Sequence, residues 1–297
     1  MALRSLLRVN EALALLLAGL VFGLAFMPGA AGAQTLRLAT GVEYTRGLYG
    51  ARLHTDSLIA TTSARYTVDN WAFGLIIPYV RVEGPGAPFE PFAVSFFALD
   101  LPVGIEADLV PLLSLPSDPS FRYRQFSPVS EGLGDVTLSA SRSFELKRNR
   151  LYLDASSILK LPTGDPDKLI GTGETDVTLR SDLVYEGKDF GVFAGGGYSH
   201  TGKSERFDLM DRWQFSAGVY KPVGRRITLG VLYDWREPLL ERSGEISEIT
   251  SYVSMQLDNR FSVLAYSVTG LSDASPDFGV GLRLAVDFDV GAPRWFD

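Results

Sequence analysis

From Leu36 onward, apolar and polar side chains alternate with period two in short bursts, and the bursts recur about twelve times. In Asp277–Phe288 the even positions Phe278, Val280, Leu282, Leu284, Val286 and Phe288 are large and apolar. The odd positions Asp277, Gly279, Gly281, Arg283, Ala285 and Asp287 are small or charged. Successive side chains of a strand point to opposite faces, so such a segment has one apolar and one polar face. That fits a half-buried sheet or a barrel whose outside meets lipid. The pattern predicts strands at Leu36–Tyr44, Leu58–Val68, Trp71–Val82, Asp135–Phe144, Arg150–Pro162 and Asp176–Tyr185. Further strands are predicted at Phe190–Ser199, Arg212–Pro222, Ile227–Trp235, Glu248–Leu257, Phe261–Gly270 and Asp277–Phe288. No mature segment holds a helical period for long, Val103–Leu113 being the nearest to one.

The connections alternate in length. Tight turns at Asp69-Asn70, Lys147–Asn149, Gly187–Asp189, Gly224-Arg225 and Asp258–Arg260 take the residues that tolerate positive φ. Longer loops intervene at Thr45–Ser57, Glu83–Gly134, Thr163–Thr175, Thr201–Asp211, Pro238–Ser247 and Leu271–Pro276. Segregation of short turns and long loops to opposite ends is the habit of an outer-membrane barrel with both termini in the periplasm. Aromatic residues gather at the strand ends, Trp71, Tyr185, Phe190 and Phe261 by the turns, and Tyr44, Tyr79, Tyr198, Trp213 and Trp235 by the loops. Their rings suit the two interfaces of a bilayer. The predicted fold is all-β, one antiparallel transmembrane outer-membrane barrel of about twelve strands, with short periplasmic turns and long extracellular loops.

The first residues set the route. Arg4 and Arg8 precede the apolar run Ala12–Phe26, and Ala31-Gly32-Ala33 offers a cleavage site before Gln34. That run is short of the ~20 residues that span a bilayer, so residues 1–33 read as a cleaved signal peptide and 34–297 as a single barrel domain. The chain has no cysteine, which excludes a lipoprotein anchor and a disulfide scaffold. The mature part carries 26 basic against 34 acidic side chains, a net −8, which argues against nucleic acid as a partner.

Three stretches carry a family likeness: Gly41–Tyr44 with Leu48–Gly50, Trp71–Tyr79 running into Gly84–Gly86, and Gly132–Val136. The chain resembles the transporter-like outer-membrane β-barrels labelled for the meta-pathway of phenol degradation. The resemblance implies a barrel in the outer membrane of a Gram-negative bacterium that passes small, often aromatic or hydrophobic, compounds. The chain departs from that group in the length of the 83–134 loop and in its end, Arg294–Asp297. Either Phe288 or Phe296 serves as the aromatic that closes the last strand.

The candidate site is the barrel interior. Gly132–Leu138 and Gly173–Leu179 echo each other, each leading from a long loop into a strand. Parity turns Asp135 and Asp176 into the lumen near the outer mouth, with Lys160 beside them. They form either a charged pore constriction or ion pairs that brace the interior, and bracing is the preferred role. Arg37, Glu43, Asp154, Arg180, Asp182, Asp234, Arg236, Arg283 and Asp287 also face inward by parity. The 83–134 loop holds Phe89, Phe92, Phe96, Phe97, Phe121 and Phe126, more apolar surface than water tolerates cheaply. Its eight prolines disfavour interior strands, so it is expected as a lid or plug, a further hairpin being the alternative.

Other motifs carry less. Gly197–Ser204 matches the letters of a phosphate-binding loop, but too few residues follow it to open the helix that cradles a nucleotide. The two histidines are His54 and His200. Ser199 adjoins His200, yet neighbouring strand residues face opposite ways and make no nucleophile–base pair. No catalysis, metal or cofactor is expected. The expected partners are outer-membrane lipids and lipopolysaccharide, the barrel assembly machinery and a small-molecule solute. The expected function is a channel for small solutes, the alternative being a structural or surface-interaction barrel with a closed lumen; an outer-membrane lipid hydrolase is the remotest reading.

Overall fold

A computed structural model describes residues 34–49, 53–84, 129–148, 150–241 and 243–290. The signal region 1–33, the phenylalanine-rich loop with Phe89, Phe92, Phe96, Phe97, Phe121 and Phe126, the Val103–Leu113 segment and Phe296 lie outside the described residues. The described chain forms β1 (Gln34–Gly47), β2 (Thr55–Val68), β3 (Trp71–Glu83), β4 (Val129–Leu133), β5 (Val136–Lys147), β6 (Leu151–Leu161) and β7 (Asp176–Glu186). It continues as β8 (Gly191–His200), β9 (Arg212–Val223), β10 (Ile227–Arg236), β11 (Ile246–Gln256), β12 (Phe261–Gly270) and β13 (Phe278–Asp289). Among the described residues the only helix is the 3-10 turn Pro166–Lys168.

Every neighbour pairing is antiparallel, and β1 pairs with both β2 and β13, so the sheet closes on itself. The closing seam runs from Thr35↔Asp289 to Arg46↔Phe278 without a break in register. β4 and β5 are two parts of one stave: both pair with β3, β4 along Tyr79–Glu83 and β5 along Trp71–Ile76. The barrel is therefore twelve-staved. Each expected strand appears with its ends shifted by a few residues; β4, at the far end of the expected 83–134 loop, is an addition. Alternation stops at Gly134 and Asp135, which leave the ladder while Gly134 N–H still donates to Pro78 O at 2.9 Å.

Turns at 69–70, 148–150, 187–190, 224–226 and 257–260 close one end, and the longer connections lie at the other. Asp69 (φ 53°) and Gly224 (φ 72°) take the left-handed backbone in their turns. In the last turn Asp258 accepts the N–H groups of Arg260 and Phe261, both at 2.7 Å, and these bonds hold its carboxyl below the usual carboxylate range.

The register sorts residues by parity. Outward positions such as Val42, Leu179, Phe215, Val231 and Leu284 are exposed. Water would oppose an apolar surface of that extent, and hydrocarbon would not. On β2 and β3, outward Ala64, Tyr66, Leu75 and Ile77 are buried instead. At the turn end Arg142 lies over Trp71 and Phe144, 5.2 and 5.0 Å from the ring centres. At the loop end Tyr198 and Trp213 meet at 4.9 Å.

Inward positions are buried and mixed. Val184, Phe193, Tyr220, Leu232, Tyr252, Leu264, Tyr266 and Val268 form an apolar cluster with Tyr152 against it. Its tyrosine rings lie on glycines of the next strand, Tyr220 on Gly191, Tyr252 on Gly230 and Tyr266 on Gly281. A Cβ at Gly230 would stand 2.2 Å from the Tyr252 ring, so no side chain fits there while the ring stays flat. Gly230→Ala should therefore lower the unfolding free energy of the micelle-bound barrel by roughly 1–3 kcal/mol, the usual cost of overpacking. Adding Tyr252→Ala should return part of that loss. Denaturant titration of the folded, heat-modifiable band checks both, and an unaffected Gly230→Ala barrel would show that the ring is free to move.

The candidate site at the loop-end mouth

Asp135, Lys160 and Asp176 come together where parity placed them. Thr137↔Lys160 and Lys160↔Asp176 are cross-strand partners, which puts the lysine between β5 and β7 at their loop ends. Lys160 Nζ stands 2.5 Å from Asp176 Oδ2 and 3.5 Å from Asp135 Oδ2, and it donates to Thr172 Oγ1 at 2.8 Å. The three side chains are almost wholly withdrawn from solvent, so a carboxylate left without its ammonium would be costly.

The triad also anchors backbone. Asp135 Oδ1 accepts the Gly164 N–H at 2.8 Å, and Asp176 Oδ1 accepts the Gly202 N–H at 3.0 Å. A Cβ at Gly164 or Gly171 would come within 3 Å of Asp135 Oδ1, so only glycine lets the 162–175 connection wrap this carboxylate. Thr163 Oγ1 completes the wrap, donating to Gly134 O and accepting from Val136 N–H, each at 2.8 Å. Held in this way, the connection dips into the mouth. Its Ile170, 1% exposed, packs on the inward-facing Ile59, Val80 and Val82 of β2 and β3.

Two connections then lock over this one. Phe207, Leu239 and Leu240 form a small apolar core with Leu169 and Leu209, and Leu209 pairs with Leu240 as an isolated bridge. Arg206 Nη2 meets Asp167 Oδ1 at 2.5 Å. The 271–277 connection is tied to β11 through Leu271 N–H on Ser247 O (2.7 Å) and Ser247 N–H on Ser275 Oγ (3.0 Å). Tyr49 turns back inward, 1% exposed, and donates to Thr45 Oγ1 at 3.1 Å. The long loop was expected to cover the mouth; among the described residues the shorter connections do so. Their signal was present as Gly164 and Gly171 around an Asp-bearing loop, and as the leucines of 237–245, but only pairing distances reveal it.

Below the mouth, charges pair along and across strands. Arg180 holds Asp182 through Nε at 2.7 Å and Nη2 at 2.5 Å, and also donates to Ser216 across the glycine-lined β8. Arg236 Nε meets Asp234 Oδ2 at 2.5 Å, and its Nη2 reaches Glu248 Oε2 at 3.3 Å. Tyr266 donates to Glu43 Oε2 at 2.5 Å, Arg283 to Ser63 Oγ at 2.7 Å, and Arg37 Nε to Asp287 Oδ1 at 2.7 Å. Asp154 is fully inward on β6, opposite Asp182. Arg65, Arg212 and Glu248 also face the lumen and are buried; the sequence reading omitted them although they share the same parity.

The histidines lie at the loop end. His54 Nε2 is 3.3 Å from Asp277, and His200 Nδ1 is 2.9 Å from Asp211. The His200 bond, with the Thr201 N–H, draws the Asp211 carboxyl down to about 2. Ser199 is buried and bonded to Thr178 at 2.7 Å, while His200 is mostly exposed on the other face. Gly197–His200 belong to β8, and residues 201–211 lead into β9 without a helix, so the phosphate-loop letters have no cradle. Among the described residues no group of three or more His, Asp or Glu side chains is placed to hold a metal.

No protein-family model matches the sequence, and no curated protein matches it either. The fold does match solved structures. An outer-membrane channel from Pseudomonas putida F1 superimposes with TM-score 0.59 at 15% identity, over 89% of this chain and 98% of that one. The NanC porin gives 0.48 at 8% identity over 86% and 100%, and the KdgM porin 0.45 at 9% over 85% and 98%. At such identities the likeness to the Pseudomonas protein establishes fold alone: this chain has the closed antiparallel fold of an outer-membrane barrel.

The triad makes a direct prediction. Lys160→Met leaves two carboxylates facing each other without a cation and should destabilise the mouth by about 3–5 kcal/mol. Adding Asp135→Asn and Asp176→Asn should recover most of the loss. Limited proteolysis of the 162–175 connection in the membrane-bound barrel reads this out; equal cleavage in all three proteins would mean that the triad does not hold it.

Proposed function

We propose that the chain is an outer-membrane channel for small solutes whose mouth is opened and closed by its own loops. In this reading residues 1–33 export it, the tight turns face the periplasm, and the long connections face outward. The observation that carries it is the mouth itself. The 162–175 connection is pinned inside the barrel rim by one ion triad, Thr163 and Ile170, and a small apolar cluster with the Arg206–Asp167 pair joins it to 201–211 and 237–245. Contacts so few and so local can break while the strand ladder remains intact. Below them the lumen wall carries charges of both signs beside tyrosines and Phe193, surfaces suited to a small amphipathic solute. That agrees with the aromatic or hydrophobic compounds implied by the phenol-degradation resemblance, which rests on its three short motifs. The phenylalanines of the 83–134 loop are a second obstruction in this proposal.

The inward apolar cluster favours one rival, a closed barrel whose loops do the work. A twelve-strand barrel is narrow enough for side chains to fill much of it. Planar-bilayer recording separates the two. The chain has no native cysteine, so Leu209→Cys with Leu240→Cys gives a single disulfide across the bridge, where Cα atoms stand about 5 Å apart. Opening events should be rare under oxidation and return on reduction. Removing residues 88–126 should raise conductance further. Silence in every state, with the barrel correctly assembled, would reject the channel in favour of the rival.

A further inference from the structure

The outer wall contains a concavity of about 580 Å³ across β7 to β11. It follows from a local run of small side chains. Leu183, Ala194, Ala217, Tyr233 and Ile249 are successive cross-strand partners on the outward face. The two alanines form a trough between the larger flanking residues. Phe193, Gly218 and Leu232, inward-parity residues that lie between these positions, also line it. None of the residues lining it is charged. Leu183, Val192, Val219 and Val231 around it are exposed, so the trough is open to whatever surrounds the barrel.

We propose that this groove is a binding site for one acyl chain of a phospholipid. Hydrocarbon already bathes this face, so the gain is packing and not transfer from water. A hollow lined mostly by apolar side chains forfeits dispersion contacts when empty, and it offers water few polar partners besides the phenols of Tyr185 and Tyr233. A second barrel would present a stiff convex wall, which cannot enter a trough two alanines wide; a chain of methylenes can. The absence of charge excludes a headgroup or a polar peptide as the occupant. Most of the lining lies in the turn half of β7, β8 and β9. The choice of phospholipid over lipopolysaccharide rests on the orientation proposed above, which places that half in the periplasmic leaflet.

The test uses the full barrel reconstituted in vesicles of phosphatidylethanolamine carrying a diazirine in one acyl chain, with adducts mapped by peptide mass spectrometry. Adducts should concentrate on Leu183–Tyr185, Val192–Ala194 and Ala217–Val219, about tenfold above the exposed wall around Ala265 on β12, a preference of about 1.4 kcal/mol. Ala194→Phe should abolish the enrichment and Ala265→Phe should not; Ala217→Leu is the substitute if Ala194→Phe fails to assemble. Even labelling around the barrel would overturn the site, as would cross-links joining two barrels through these strands. The readout is independent of conductance, so a silent barrel with an enriched groove would reject the channel and leave the lipid site standing.

Discussion

Closure of the sheet at the β1–β13 seam is the constraint from which the rest follows. In hydrocarbon an unpaired backbone N–H or C=O costs several kcal/mol, so a sheet that crosses it can have no free edge. The twelve residue pairs from Thr35↔Asp289 to Arg46↔Phe278 remove both edges at once. They join the first and last strands of the described chain, so no shorter piece of the wall can be complete. Closure also turns a local alternation into a global partition, since every odd residue of β1 and β13 must then share the interior.

That partition creates the interior's electrostatic problem. Strands of ten to fourteen residues leave every second side chain inside, and those positions include Arg37, Glu43, Arg180, Asp182, Asp234, Arg236 and Arg283. A buried charge without a partner is costly, whereas a paired and hydrogen-bonded one is not. The solution recurs at spacing i, i+2: Arg180 with Asp182 and Arg236 with Asp234 meet along a single strand. Such pairs need room to lie along the wall, and Gly195 provides it, since a Cβ there would strike Asp182 Oδ1 at 1.9 Å. Glycine, aromatic ring and ion pair are thus parts of one packing scheme.

What could be read from the sequence divides along the same line. Strand identity and facing were legible because period-two alternation is written locally, residue by residue, and closure only amplifies it. Inward Asp135, Lys160 and Asp176 could be placed together from parity and strand ends alone. Interruption of a stave at Gly134-Asp135 was not legible, because β4 is only five residues long and reads as loop. Nor was the mouth assembly, in which Phe207 meets Leu240 and Ile170 meets Val80 across large sequence separations without any periodic signal. The acyl groove was equally hidden: Ala194 and Ala217 look unremarked in their own strands and matter only because the register sets them side by side.

The wall and the mouth therefore differ in how they are held. Apart from the break at Gly134-Asp135 and the bulge at Glu145–Lys147, the staves are fastened by ladders on both sides, and loosening any one of them would expose backbone to a medium that offers no replacement partner. The mouth connections are fastened mostly by side chains, Lys160 with Asp135 and Asp176, Arg206 with Asp167, Thr163, Ile170, Phe207 and a few leucines, at the end of the barrel where water can take over each contact as it breaks. Movement is then confined by solvent as much as by sequence. In the proposed channel the part that opens is the part that leaves the hydrocarbon, and Lys160 sits at that boundary, bonded on one side to a strand residue, Asp176, and on the other to Thr172 of the loop.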